Sequence, residues 1–406
     1  MRRLGYVFAA STLALACLSS SSDNSTPTDA DAGTDSSDDG NTNPPETPGP
    51  LPQWFSNARE VVIGADDNFA DCRTVICRHN ENTDLIGWNG AIWFIHRTAI
   101  SQILGPNSAL HIYKSTDDGA TFSETARIDA PTDRDIRDPH FYIVGDQLHV
   151  KTLTRLPVLS TRDSDVKTIA MEIHSADGVT WSPLTPIGPT EQSFWRIKDH
   201  AGVYYSASYE DGDKAVTLFS STDGIAWTKG AQVYGVAEDT PLETELVFMP
   251  SGKLLALVRT DGTADELLGD KGRLRTQVCW ADPPSYATFT CPPEQVLNGQ
   301  RLDGPLAFFV GQRLFVVARK HLQGTGKKRT ALFEIGGTLE GGPLTIQEHG
   351  EIPSAGDTSY AGVAFRKDGT ALISWYSGRL DKDDVWAIGM ISVTNIWQGV
   401  IDFTKL

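Results

Sequence analysis

The chain has 406 residues, 40% of them hydrophobic and 21% charged, with 37 glycines, 22 prolines and 10 tryptophans. That is too apolar and too aromatic for a disordered protein, and glycine without a three-residue period excludes collagen. A formal charge of −17 repels phosphate backbones, which argues against a nucleic-acid partner.

The chain begins with an address. Arg2 and Arg3 precede an apolar run from Leu4 to Ala16, built like a secretory signal and too short to cross a bilayer. Cys17 follows Ala14-Leu15-Ala16, which resembles a bacterial lipobox, although Ala14 stands where leucine is usual. That resemblance implies residues 1–17 as a signal peptide ending at an acylated Cys17. It also implies a lipid anchor and an exported, outer-membrane or cell-surface protein; a plain signal peptide is the alternative. Residues 18–52 are rich in Ser, Thr, Asp, Gly, Asn and Pro and carry seven acidic residues and no basic one. Such a segment is a solvated linker that cannot bury enough surface to fold. Residues 53–406 remain as one body, expected to be monomeric.

Four further cysteines fall into two local pairs, Cys72 with Cys77 and Cys279 with Cys291. Two disulfides are the simplest pairing and agree with an oxidising compartment. The spacing is not that of a zinc site, and the nine histidines show no metal-ligand pattern.

Along the body one pattern recurs: an apolar strand, a tight polar turn with glycine, and a second apolar strand. It appears as GWNGAIWFI, YIVGDQLHV, KDHAGVYYSA, FMPSGKLLAL, FFVGQRLFVV and FRKDGTALIS. The turn glycines Gly90, Gly145, Gly202, Gly252, Gly311 and Gly369 are spaced by 50 to 59 residues. Each copy is a hairpin signal, and helical periodicity is absent throughout. A repeat of this length is one small sheet that cannot cover both faces alone. Six packed radially can, so the sequence predicts an all-β, six-bladed β-propeller.

STDDGATF (residues 115–122), HSADGVTW ending at Trp181 and SSTDGIAW ending at Trp227 resemble the Asp-box (BNR) turns of the sialidase superfamily. There the aspartate accepts backbone N–H bonds, glycine takes positive φ and the aromatic packs between blades. Asp117, Asp177 and Asp223 are therefore read as structural. The resemblance also implies a geometry: first strands start, second strands end and third strands begin on one working face. Those places hold Arg137, Asp138, Arg196, Glu243, Glu245, Asp303 and Tyr360, then Arg97, Arg259 and Arg319, and finally Arg329. An arginine cluster in an acidic body points to an anionic ligand, because guanidinium groups pair carboxylates bidentately.

Two segments sharpen this. LETELVFMPSGKLLALVR, Leu242 to Arg259, is similar to a sialidase segment in which a glutamate precedes a carboxylate-binding arginine; Glu243 and Glu245 both fit. GDTSYAGVAF places Tyr360 where those enzymes keep a nucleophilic tyrosine. A phenol needs a neighbouring carboxylate to take its proton as it attacks, and sialidases are the tyrosine exception among glycosidases. Arg319 and Arg329 are rivals for a further carboxylate-binding arginine. The Phe-Arg-Ile-Pro motif of the family is missing; DCRTVICRH offers Arg73 or Arg78 instead. The loop that carries the family's acid/base aspartate reads TAISQILGPNS, with no ionisable residue, which leaves Asp138 or His96 to protonate the leaving group. Trp88, Trp93, Trp195 and Trp375 are inter-blade core or a sugar platform. The resemblance implies no cofactor and no metal. The expected function is an exo-glycosidase acting on sialic acid or a related acidic sugar. The alternatives are a non-catalytic glycan-binding propeller and a glycosidase of the same shape with a neutral substrate.

Overall fold

A computed structural model describes residues 50–67, 71–103, 105–156, 166–210, 214–262, 274–293, 296–298 and 300–406. The expected signal peptide, Cys17 and nearly all of the linker lie outside the described residues. Those described form 26 strands with one short α-helix, Trp386–Gly389, and two 3-10 turns. The predicted hairpins are present, and all six turn glycines have positive φ. Asn89-Gly90 and Ala201-Gly202 turn with both φ positive, the mirror-image turn that matches strand twist.

The strands make five hydrogen-bonded sheets rather than six. Sheet B runs through Asp135–Val144, Gln147–Arg155, Thr168–Ser175 and Thr185–Pro186. Sheet C spans Ser193 to Tyr234, sheet D Pro241 to Asn298, and sheet E Asp303 to Ile352. Sheet A has eight strands: His79–Trp88, Ala91–Ala99, Ala109–Ser115 and Ser123–Asp129, then Thr358–Phe365, Ala371–Gly378 and Thr394–Ile401, with Phe55–Val62 on the last. The reason for the lower count is one parallel pairing, His79 with Thr394, which joins two antiparallel runs into a single ladder. The first strand, Phe55–Val62, pairs antiparallel with the last, Thr394–Ile401, so the two ends of the described body close on each other.

Both faces of these sheets are covered by neighbours, in a propeller-like arrangement. Leu110 of sheet A packs with Val150 of B, Ala170 of B with Phe219 of C, and Leu218 of C with Val258 of D. Leu257 of D packs with Val316 of E, and Val317 of E with Ile373 of A. Sheet A also folds on itself, burying Phe94 against Leu372 and Tyr376. Trp93, Trp195 and Trp375 are fully buried and Trp88 nearly so, which makes all four core rather than platform.

Both local disulfides are formed. At the three aspartate turns the carboxylate accepts from the backbone: Thr121 N to Asp117 at 2.9 Å, Thr180 N to Asp177 at 2.7 Å and Ala226 N to Asp223 at 2.8 Å.

In five places the innermost strand of a run slips register against its neighbour. The shifts fall between Glu81 and Asp84, Arg137 and His140, Pro241 and Thr244, Asp303 and Leu306, and Ser359 and Gly362. Such bulges re-aim a side chain. In four of them the residue after the first pair is left-handed: Asn82, Asp138, Gly304 and Tyr360, with φ of 51°, 52°, 56° and 47°. Asn, Asp and Gly accept that conformation readily; tyrosine does not.

Candidate active site

Four of the five bulges contribute to the wall of one cavity of about 190 Å³. Its wall is made where strands meet the same end of their sheets. Asn82, Asp138, Glu243 and Tyr360 come from the starts of inner strands, and Arg155, Arg259 and Arg319 from the far ends of second strands. Thr168, the first residue of a third strand, completes the pattern.

Tyr360 is the centre. Its ring is buried, with an edge-on contact to Trp195 at 5.8 Å and the Arg319 guanidinium 5.0 Å above it. The phenol Oη donates to Glu243 Oε1 and accepts from Arg259 Nη1 at 3.2 Å. Burial and the Glu243 charge push the Tyr360 pKa far above 10, against the pull of Arg259 and Arg319. The resting group is therefore a phenol whose proton already points at a carboxylate. A bulky residue held at positive φ stores strain of ~1–3 kcal/mol, which is found where function over-determines the conformation.

Glu243 is fixed on its other oxygen, Oε2, by Arg259 Nη1 and by the backbone N–H of Gly304, both at 2.8 Å. Glu245 is not in the cavity wall. It is fully buried, accepting from Lys198 Nζ at 2.6 Å and Ala307 N at 2.9 Å, because residues two apart on this strand are separated by the bulge and its re-aimed side chain. The alternative between the two glutamates thus resolves to Glu243 as the one beside Tyr360.

The arginines divide. Arg259 and Arg319 reach the cavity on carboxylate supports: Asp261 at 2.8 Å for Arg259 Nε, and Asp357 at 2.9 Å with Tyr376 Oη at 2.7 Å for Arg319 Nη2. Asp303 links them from behind, 3.2 Å from Arg259 Nε, and accepts from Arg301 and from His321. Burial would raise the Asp303 pKa, yet Arg259, Arg301 and His321 hold it well below the usual carboxylate range.

Arg137 also lines the cavity, donating to Asp135 and to the Gln102 carbonyl at 2.6 Å. Five other expected arginines do not line it. Arg97 is fully buried between Asp135 and Glu81, and Arg196 is buried between Asp84 and the Ala361 carbonyl. Arg329 pairs with Asp383 at 2.8 Å outside the lining. Arg78 precedes its strand and lies outside the lining, its carbonyl accepting from Thr394 N. Arg73 is held by Asp71. For Arg97, Arg196, Arg329 and Arg73 a nearer carboxylate has claimed the side chain.

Asp138 lines the cavity, and its pKa is raised by burial and by the Glu243 and Glu81 charges, against Lys151 and Arg137. His96 does not reach the cavity. It is buried in a stack with Phe94, His111 and Tyr113, and burial drives its pKa down to about 3. The loop without an ionisable residue contributes Gln102 to the wall. Gly105 in that loop sits so close to Asp135 and Arg97 that an added Cβ would lie 2.3–2.5 Å from their side chains.

No protein-family model and no curated protein sequence matches the chain. Solved structures do. A Dyadobacter fermentans protein of unknown function superposes with a TM-score of 0.59 at 16% identity, covering 85% of this chain and 99% of that one. Trypanosoma rangeli sialidase gives 0.60 at 14% identity, over 88% of this chain. A Hadza microbial sialidase gives 0.57 at 12% identity, over 86% of this chain and 69% of its own. The fold is sialidase-like. The chain spans 60% of the length of the T. rangeli enzyme.

Sialidase-like architecture explains what sequence reasoning missed. Arg155 and Tyr209 end second strands, and Arg319 lies three residues short of the end of its own, so the strand-end rule could have found them. Trp386 had no such signal. It sits on the inserted helix, donates to Asp357 at 3.0 Å and lines the cavity, the one tryptophan among the lining residues. Behind the wall, His79 lies 3.3 Å from Glu81 and 3.6 Å from Asp357. Burial alone would lower its pKa, but the two carboxylates raise it to about 9. With Nδ1 facing the Ser392 carbonyl at 3.0 Å, this trio is an ion cluster with no ring nitrogen free for a metal.

Proposed function

We propose that the protein is a sialidase-like exo-glycosidase that removes a terminal sialic acid or related acidic sugar from glycans at the cell surface. The observation that carries this is the Tyr360–Glu243–Arg259 cluster in the cavity wall. Tyr360 Oη attacks the anomeric carbon while its proton passes to Glu243. The bond to the leaving oxygen breaks, and Asp138, whose pKa burial and the Glu243 and Glu81 charges raise, supplies the proton that oxygen needs. Water then attacks the anomeric carbon and gives a proton to Asp138, the bond to Tyr360 Oη breaks, and Glu243 returns its proton to the phenolate. T. rangeli sialidase, a structural neighbour, has been captured with 2,3-difluorosialic acid as a covalent intermediate, which supports a nucleophilic route. Arg259 and Arg319 hold the sugar carboxylate, an anionic group matched to guanidinium forks.

We read sheet A as two blades joined at His79–Thr394, which gives the ring six. We also keep the exported lipoprotein reading, with Cys17 as the anchor and the glycan as the only partner. A panel of fluorogenic glycosides that includes a sialoside tests the proposal. Turnover of the sialoside that Tyr360→Phe lowers by ~10³-fold or more supports it; no turnover of any glycoside overturns it.

A second reading, a glycan-binding propeller without catalysis, is favoured by one observation. Three of the four cavity arginines already carry a carboxylate partner, Asp261 and Glu243 on Arg259, Asp357 on Arg319, Asp135 on Arg137. Binding of a sialoside without turnover would select it.

A further inference from the structure

Two histidines and a glutamate on sheet B stand apart from the cavity and from the reaction above. Glu172 and His174 lie two residues apart on the strand Thr168–Ser175, so alternation puts them on one face. His149, on the strand Gln147–Arg155, is paired directly opposite His174, which brings it to the same face. The rings stack with centroids 5.0 Å apart. Both Nδ1 atoms converge on the same oxygen, Glu172 Oε1, at 2.7 Å for His149 and 3.0 Å for His174. The His149 and Glu172 side chains are buried, while that of His174 is 33% exposed.

The three ligand atoms lie within 4.8 Å of one another. Zinc bonds of ~2.0–2.2 Å to nitrogen and oxygen place tetrahedral ligands ~3–3.5 Å apart, so little movement separates this cluster from a coordination sphere. We propose that His149 Nδ1, His174 Nδ1 and a Glu172 carboxylate oxygen bind a divalent metal ion of the zinc class, with a fourth position open to water beside His174. Two imidazoles and one carboxylate suit zinc and its neighbours over magnesium or calcium, which prefer oxygen. Each neutral imidazole then carries its proton on Nε2 and offers the Nδ1 lone pair to the metal. Tyr142 packs 5.0 Å from His149, but its hydroxyl donates to the Gly224 carbonyl and is not a ligand. The four cysteines of the body are tied in disulfides, so no thiolate of theirs competes.

The site cross-links two strands and adjoins Ser175, which receives the Gly178 N–H at 2.8 Å in the Asp177 turn. A bound ion therefore stiffens that end of sheet B and should raise the melting temperature, because the unfolded chain lacks the site.

The test uses the full chain, stripped with EDTA, desalted and titrated with zinc chloride against a chromogenic zinc chelator. One equivalent bound at micromolar or tighter dissociation constant is expected, with a zinc-dependent rise in melting temperature. Glu172→Gln and His174→Ala should each weaken binding at least about tenfold and abolish that rise. His174 is partly exposed, so its replacement keeps the fold, checked by an unchanged melting temperature in EDTA. Failure of the wild type to bind, or binding and a thermal shift that survive both substitutions, overturns the proposal. Glycoside turnover is a separate readout, so neither result bears on the cavity.

Discussion

Gly304 and Tyr360 occupy the same bulge position in two sheets, and the first makes room for the second. A Cβ on Gly304 would lie 2.9 Å from Tyr360 Cδ2, and its φ of +56° is one that a side chain disfavours. Its backbone N–H meanwhile holds Glu243. Gly304→Ala is expected to cost ~1–2 kcal/mol through backbone strain alone and to push the phenol off Glu243. The variant should melt several degrees lower and lose at least about tenfold in kcat. Wild-type kcat in a folded Gly304→Ala protein would show that the phenol does not depend on this space.

Arg319 and Arg329 look alike in sequence, but only Arg319 lines the cavity. Arg319→Ala should remove a buried cation from beside Asp357 and Tyr360 and lower kcat/KM for an acidic glycoside by ~10²-fold or more. Arg329→Ala breaks a partly exposed pair with Asp383 and should change stability by no more than ~1 kcal/mol, with kcat/KM within a factor of about two. Steady-state kinetics on the two purified variants decides; equal losses would contradict the assignment.

Much of this was readable beforehand because it depends on local chemistry. The hairpins are legible in the turn glycines, and Tyr360, Arg259 and a choice between Glu243 and Glu245 in two short segments. What escaped was pairing across distance. Asp135 claims Arg97, and Asp84 claims Arg196; both look like strand-end arginines until the sheets bring those carboxylates to them. The single His79–Thr394 pairing, which merges two expected sheets, leaves no trace in composition or spacing. Nor does the convergence of His149 with Glu172 and His174, which rests on cross-strand register alone.

Asp138 supplies a prediction in pH. Its folded pKa is raised, so it stays protonated to higher pH than an ordinary carboxyl and is lost as an acid when pH rises through that value. The wild-type kcat/KM profile should show an alkaline limb that Asp138→Asn removes. The same variant should lose ~10²–10⁴-fold on a glycoside with a poor leaving group and much less on an aryl glycoside, whose phenolate departs without a proton. An alkaline limb unchanged in Asp138→Asn would assign the acid elsewhere.

His79 gives the stability of the closed body its own pH dependence. The imidazolium sits between Glu81 and Asp357, with a pKa raised from 6.5 to about 9. A cationic group raised in the folded state binds its proton more tightly there than in the unfolded chain. Its contribution is therefore complete below pH 6.5 and is lost as pH rises through about 9. A shift of this size corresponds to at most about 3 kcal/mol. Lys151 works the other way, because burial lowers its pKa from 10.5 to about 8, so its loss of a proton favours the folded state as pH climbs through that interval. Lys151 is common to wild type and His79→Asn and cancels in their difference. The gap in urea unfolding free energy between the two proteins should accordingly be widest near pH 6 and narrow steadily toward pH 9.5. A gap independent of pH would mean that His79 is neutral in the fold and that Arg97 and Arg319 alone balance the carboxylates at this seam.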